Sequence, residues 1–128
     1  MGKQILFVDD EIPIRDLVSS YFRRNGFAIT TVGNRAELVR AFQAMAFDVV
    51  ILDINLEEES GMELLSFCKQ HHPQIPVIMF TGLPDDGSLL KESMARGASG
   101  FLSKAQNLDS LMAEVRRVLQ PQAGEAKT

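Results

Sequence analysis

Five polar side chains carry the chemical interest of this sequence: Asp9 and Asp10, Asp53, Thr81 and Lys104. Each stands at or just beyond the end of a short apolar run: Ile5–Val8, Val49–Leu52, Pro76–Phe80 and Ser99–Leu102, in that order. A carboxylate with an ammonium and a hydroxyl in reach is a phosphoryl-transfer set, in which the carboxylate attacks phosphorus while cations neutralise the equatorial oxygens. Three converging carboxylates repel one another, and a hard divalent ion with oxygen ligands removes the conflict. Mg²⁺ is therefore the expected cofactor, with Mn²⁺ an acceptable substitute. Asp53 closes the most apolar run and is the expected nucleophile, whereas Asp9 and Asp10, adjacent in one turn, suit a metal. Gly82, directly after Thr81, leaves room for a phosphoryl group.

These residues converge only if the runs are strands of one sheet. Ile14, Leu17, Val18, Tyr21 and Phe22 recur at helical spacing until Asn25-Gly26, and Phe27–Val32 then reads as a second strand. Asn34-x-x-Glu37 and Ser60-x-x-Glu63 both read as capping boxes opening helices. His71, His72 and Pro73 end the helix that contains Cys68. A fourth helix spans about Gly87–Arg96, and Leu108, Leu111, Met112, Val115, Val118 and Leu119 mark the last, which Pro121 ends. Strands apolar on both faces and alternating with helices call for an α/β fold, a parallel sheet covered on each side. In such sheets ligands bind beyond the carboxyl ends of the strands, where all five polar residues stand.

Composition sets outer limits. The chain has 128 residues, 45% of them apolar, enough for one domain with its own core. Residues 1–120 are expected to form that domain, with 121–128 a polar tail or the start of a linker. Cys68 is the only cysteine, so no internal disulfide is expected and a reducing compartment, the cytoplasm, is the natural setting. Met1–Leu6 has neither the basic region nor the long apolar stretch of a signal peptide, and membrane insertion is not expected. A net charge of −4 without a basic stripe argues against direct nucleic-acid binding. The charge is uneven. Asp9, Asp10, Glu11, Asp53, Glu57, Glu58, Glu59, Asp85 and Asp86 face Lys104 alone in the strand-end loops, a formal −8, which leaves +4 elsewhere. His71-His72 reads as a pair favoured by the helix dipole rather than a metal site, and Cys68 as a core residue.

Four segments together resemble the receiver domains of bacterial two-component response regulators, of the chemotaxis-regulator-like kind, across about residues 3–120. They are Phe7-Val8-Asp9-Asp10-Glu11, Val50-Ile51-Leu52-Asp53-Ile54-Asn55, Phe80-Thr81-Gly82 and Gly97-Ala98-Ser99-Gly100-Phe101-Leu102-Ser103-Lys104. The resemblance implies a flavodoxin-like, doubly wound (βα)5 fold with strand order 2-1-3-4-5. It implies that Asp53 accepts a phosphoryl group from a sensor histidine kinase or phosphotransfer protein. Asp10, Asp53 and the backbone carbonyl of Asn55 would hold Mg²⁺, with Asp9 positioning the ion or its waters. Lys104 would pair with the phosphoryl group. Thr81 would move inward, draw Phe101 into a buried rotamer and reshape the face of the fourth helix, fifth strand and fifth helix. That face would meet an output domain or downstream protein, and phosphorylation-linked dimerisation is compatible with it. Such a protein is a self-assisting phosphoacceptor rather than a multiple-turnover enzyme.

Three departures stand out. Ala105 replaces the proline usual after the lysine, so a trans peptide is expected there, because a non-proline cis bond costs about 3 kcal/mol. Glu57, followed by Glu58 and Glu59, replaces a common proline. Phe101 stands where tyrosine is frequent and offers no hydroxyl. The competing readings are a pseudo-receiver that works without phosphorylation, a small phosphatase with an aspartate nucleophile, and an FMN-binding flavodoxin. The intact acids, Thr81 and Lys104 disfavour the first. The second lacks a second acid after Asp53, and the third lacks a hydroxyl-rich phosphate loop after the first strand.

Overall fold

A computed structural model describes residues 2–84 and 86–120 of the chain. Five strands alternate with five helices: β1 (Gln4–Val8), α1 (Ile12–Arg24), β2 (Ala28–Val32), α2 (Arg35–Ala44), β3 (Val49–Leu52), α3 (Gly61–His71), β4 (Val77–Thr81), α4 (Ser88–Ala95), β5 (Gly100–Ser103) and α5 (Leu108–Leu119). The strands pair in parallel in the order β2-β1-β3-β4-β5, the flavodoxin-like topology. The expected tail 121–128 lies outside the described residues, as does Asp85.

The two-residue period of the strands sorts the core into two layers. Leu6, Val8, Val50, Leu52, Val77 and Met79 face Leu38, Met62, Leu64, Leu65 and Cys68 from α2 and α3. Ile5, Phe7, Val49, Ile51, Ile78 and Phe80 face Val18 and Phe22 of α1 and Leu111, Met112 and Val115 of α5. Every residue of β3 and β4 is buried, as their unbroken apolar runs require in a sheet covered on both sides. Burial pushes the Cys68 thiol up to about 11, the behaviour of an inert core cysteine. His72 stacks on Phe42 with ring centroids 4.0 Å apart, and His71 leans on Phe67.

Local signals were obeyed unevenly. Asn34 caps α2 by accepting from the Glu37 amide, while the Glu37 side chain reaches back to the Gly33 amide rather than to Asn34. Asn107 caps α5 in the same manner, accepting from Ser110. The capping box expected at Ser60 forms only in part: Ser60 Oγ accepts from Met62, and Glu63 turns toward Arg96 instead. Arg96, held by Glu92 of its own helix, closes α4 against α3 through Ser66 and the Met62 carbonyl. Phe27, expected at the head of the second strand, precedes it and packs edge-on against Phe22. Among the described residues no helix is long and apolar enough to cross a membrane.

Gly61 opens α3 where nothing larger fits. A Cβ there would lie 2.0 Å from the Asp53 carbonyl oxygen and 2.7 Å from Ile54 Cα, both backbone atoms with no side-chain freedom to yield. Gly61→Ala should therefore cost about 3 kcal/mol or more, measured as a lower urea midpoint with an unchanged m-value.

Candidate active site

The C-terminal ends of β1, β3, β4 and β5 open into a cleft of about 370 Å³ lined by Asp10, Glu11, Asp53, Asn55, Glu57, Gly82, Leu83 and Lys104, among others. Parallel strands in this order leave the nucleophile candidate central. β1 and β3 are neighbours, which sets Asp9 and Asp10 beside Asp53. β5 lies one strand further away, so the Lys104 stem crosses the end of β4, where a Cβ on Gly82 would touch its Cδ at 3.7 Å.

Lys104 Nζ then sits 2.7 Å from Asp9 Oδ2, 3.1 Å from Asp53 Oδ2 and 3.3 Å from Glu11 Oε1. Asp9 and Asp53 are both buried. Burial pushes the Asp53 carboxyl above its usual range, Lys104 pulls it back, and neighbouring Asp9 pushes it further up. Burial works to lower the Lys104 ammonium, but the Asp9 and Asp53 carboxylates outweigh it and hold it above the usual lysine value. Backbone amides hold three further acid oxygens. Asp9 Oδ1 accepts from Glu11, Asp53 Oδ1 from Asn55, and Asp10 Oδ2 from Glu57 at 2.7 Å.

This donor set fits a hard cation. One ligand oxygen from each of Asp9, Asp10 and Asp53 can be chosen so that all lie within 4.8 Å of one another. Asp9 Oδ2 is buried without an aligned hydrogen bond, because the Lys104 contact is an ion pair and not a directed donor. A buried carboxylate oxygen with spare capacity, facing two further carboxylates, is the environment that Mg²⁺ accepts.

Thr81 and Phe101 stand apart from the cleft lining. Thr81 is buried at the end of β4, and its Oγ1 accepts from the Leu83 amide at 3.0 Å. Phe101, half-buried on β5, packs on the layer containing α2 and α3. No peptide among the described residues is cis, as Ala105 led one to expect. The Glu57–Glu59 run does not act as one group: Glu57 lines the cleft, whereas Glu59 turns away to Arg35, whose guanidinium lowers its carboxyl pKa. Two contributors escaped the sequence reading, Glu11 as a third acid on Lys104 and the Arg35–Glu59 pair. Glu11 had a signal in the Asp-Asp-Glu run, while Arg35 had none.

A family model described as the response regulator receiver domain matches residues 5–116. Among curated proteins, regulatory protein AtoC of Escherichia coli is 32% identical over 120 residues, 94% of this chain and 26% of that protein. Chemotaxis protein CheY4 of Vibrio cholerae has a solved structure that superposes with TM-score 0.85 at 30% identity, covering 93% of this chain and all of that one. Response regulator TrrA of Thermotoga maritima, solved with Mg²⁺-BeF, gives TM-score 0.81 at 31% identity over 91% of this chain and 99% of that one. The chain spans half or less of the length of the curated relatives it matches.

Because burial raises Asp53 in the folded state, folding takes up protons there, and stability falls as pH rises from the usual carboxyl range through the raised value. In metal-free buffer at neutral pH, Asp53→Asn should raise Tm, and the gain should vanish in acid. Thermal melts across pH check it.

Proposed function

The chain belongs to the response regulator receiver domain family, and on that premise we propose that it is a phosphoacceptor switch with Asp53 as its nucleophile. The observation that carries the reading is the convergence of Lys104 on Asp9 and Asp53 inside a cleft at the sheet's carboxyl edge. A histidine kinase or phosphotransfer protein supplies the phosphoryl group: its N–P bond breaks as an O–P bond forms on Asp53, and the freed imidazole takes a proton from solvent. Asp53 must enter as the carboxylate, the form that the Lys104 ammonium favours against burial. Lys104, already within 3.1 Å of Asp53 Oδ2, then pairs with the incoming phosphoryl oxygens. Asp9, Asp10, Asp53 and the Asn55 carbonyl would hold Mg²⁺, which supplies further neutralisation of phosphoryl charge when bound.

The switch is proposed to start at Thr81. Its Oγ1, which accepts from the Leu83 amide, turns toward Asp53 and donates its own proton to a phosphoryl oxygen. Space opens beside β4, Phe101 completes its burial, and the face formed by α4, β5 and α5 changes shape. Leu90 and Met94 of α4, 42% and 48% exposed, give that face apolar surface for a downstream protein or an output domain. The greater length of the curated relatives, the regulatory protein AtoC among them, supports the reading that such a face serves an output domain or downstream protein.

Acetyl phosphate with Mg²⁺ should add one phosphoryl group, seen as an intact-mass gain that Asp53→Asn abolishes. Beryllofluoride with Mg²⁺ should shift the NMR amides of Asp53, Thr81, Phe101 and Lys104. Lys104→Ala should slow phosphorylation about a hundredfold. Unchanged mass and spectra in the wild type would overturn the reading.

A further inference from the structure

The loop joining β3 to α3 carries two of the groups that meet the acidic centre. The Asn55 amide donates to Asp53 Oδ1 and the Glu57 amide to Asp10 Oδ2. At its base the loop is closed by an Asn55–Ser60 bridge and by the Gly61 amide on the Ile54 carbonyl. Its tip, Glu57 and Glu58, is exposed. Buried Leu56 anchors the inner limb in the core, and a side-chain fork from another element ties the outer limb. Arg35, the first residue of α2, donates from Nε to Glu59 Oε1 at 2.9 Å and from Nη2 to Oε2 at 2.8 Å. The same guanidinium lies over the Phe67 ring of α3, 4.7 Å from its centroid.

Most exposed ion pairs do little, but a planar two-point fork stacked on an aromatic face is the exception, and only arginine supplies it. We propose that Arg35 and Glu59 are positioning residues for the acidic centre: they hold the β3–α3 loop in the register that sets the Glu57 amide on Asp10 and the Asn55 backbone over Asp53. This rests on the proposed phosphoacceptor reading, and it assigns the third acid of the Glu57–Glu59 run to loop geometry rather than to the local charge at the metal.

Charge and geometry predict opposite patterns. By charge alone, Glu59→Gln removes a negative group and weakens Mg²⁺ binding, while Arg35→Ala removes a positive group and strengthens it. If the pair acts through loop position, both variants weaken binding, by about tenfold, and both lose hydrogen-exchange protection at the Glu57 amide in the metal-free protein. The experiment is a Mg²⁺ titration by calorimetry on wild type and both variants, with amide exchange measured before metal is added. Amides of β1 and β3 serve as the internal control for folding, and Glu59→Gln preserves shape. Shifts of opposite sign, or unchanged affinity and exchange in both variants, overturn the proposal while leaving the phosphoacceptor reading intact. A wild type that binds no Mg²⁺ overturns that reading and this one with it.

Discussion

One ammonium held between two buried carboxylates is the constraint on which the rest of the molecule depends. Lys104 touches Asp9 and Asp53, neither exposed to water, and without it their mutual repulsion and desolvation would have no counterweight. The contact demands an unusual reach. β5 does not adjoin β3, so the lysine stem must pass over the end of β4, and it passes where Gly82 presents no side chain. Strand order, the glycine and the lysine's length are thus one solution to one electrostatic problem. At Asp53 burial outweighs Lys104 and holds the carboxyl above its usual range, so further positive charge beside it would favour the carboxylate.

Such a centre is costly to a small protein, and the two apolar layers offset that cost. Alternate residues of β1, β3 and β4 feed opposite faces, so the same strands that end in acids are buried on both sides before they reach them. Each fully buried aliphatic or aromatic side chain contributes about 2 kcal/mol. The acids therefore follow directly on the most deeply buried strands, at the first positions of the strand-end loops.

The fold was legible because its signals are periodic and local. Unbroken apolar runs, helical stripes and glycine or asparagine at their ends locate all ten elements to within a residue or two. The acidic cleft was legible for the same reason, since residues that follow parallel strands must share an edge. What escaped were facts of side-chain direction. Lys104, expected to pair with a phosphoryl group, meets Asp9 at 2.7 Å and Asp53 at 3.1 Å. The Thr81 hydroxyl faces the Leu83 amide instead of the cleft. Glu63 serves Arg96 when its spacing suggested Ser60. Arg35 and Glu59 stand 24 residues apart with no pattern joining them, and only the packing of α2 beside the β3–α3 loop brings them together.

The close seat of Gly61 against the Asp53 carbonyl has a mechanical meaning. Backbone meets backbone there with no compressible side chain between, and the Gly61 amide is bonded to Ile54. On this flank the main chain of Asp53 and the start of α3 are locked against each other. On the opposite flank β4 ends at Thr81, and α4 is tied to α3 by Arg96 on the Met62 carbonyl and by Ser93 beside Met62 Sδ. The close fit of the Gly61 flank is thus set by a missing methyl group, whose absence lets two main chains touch.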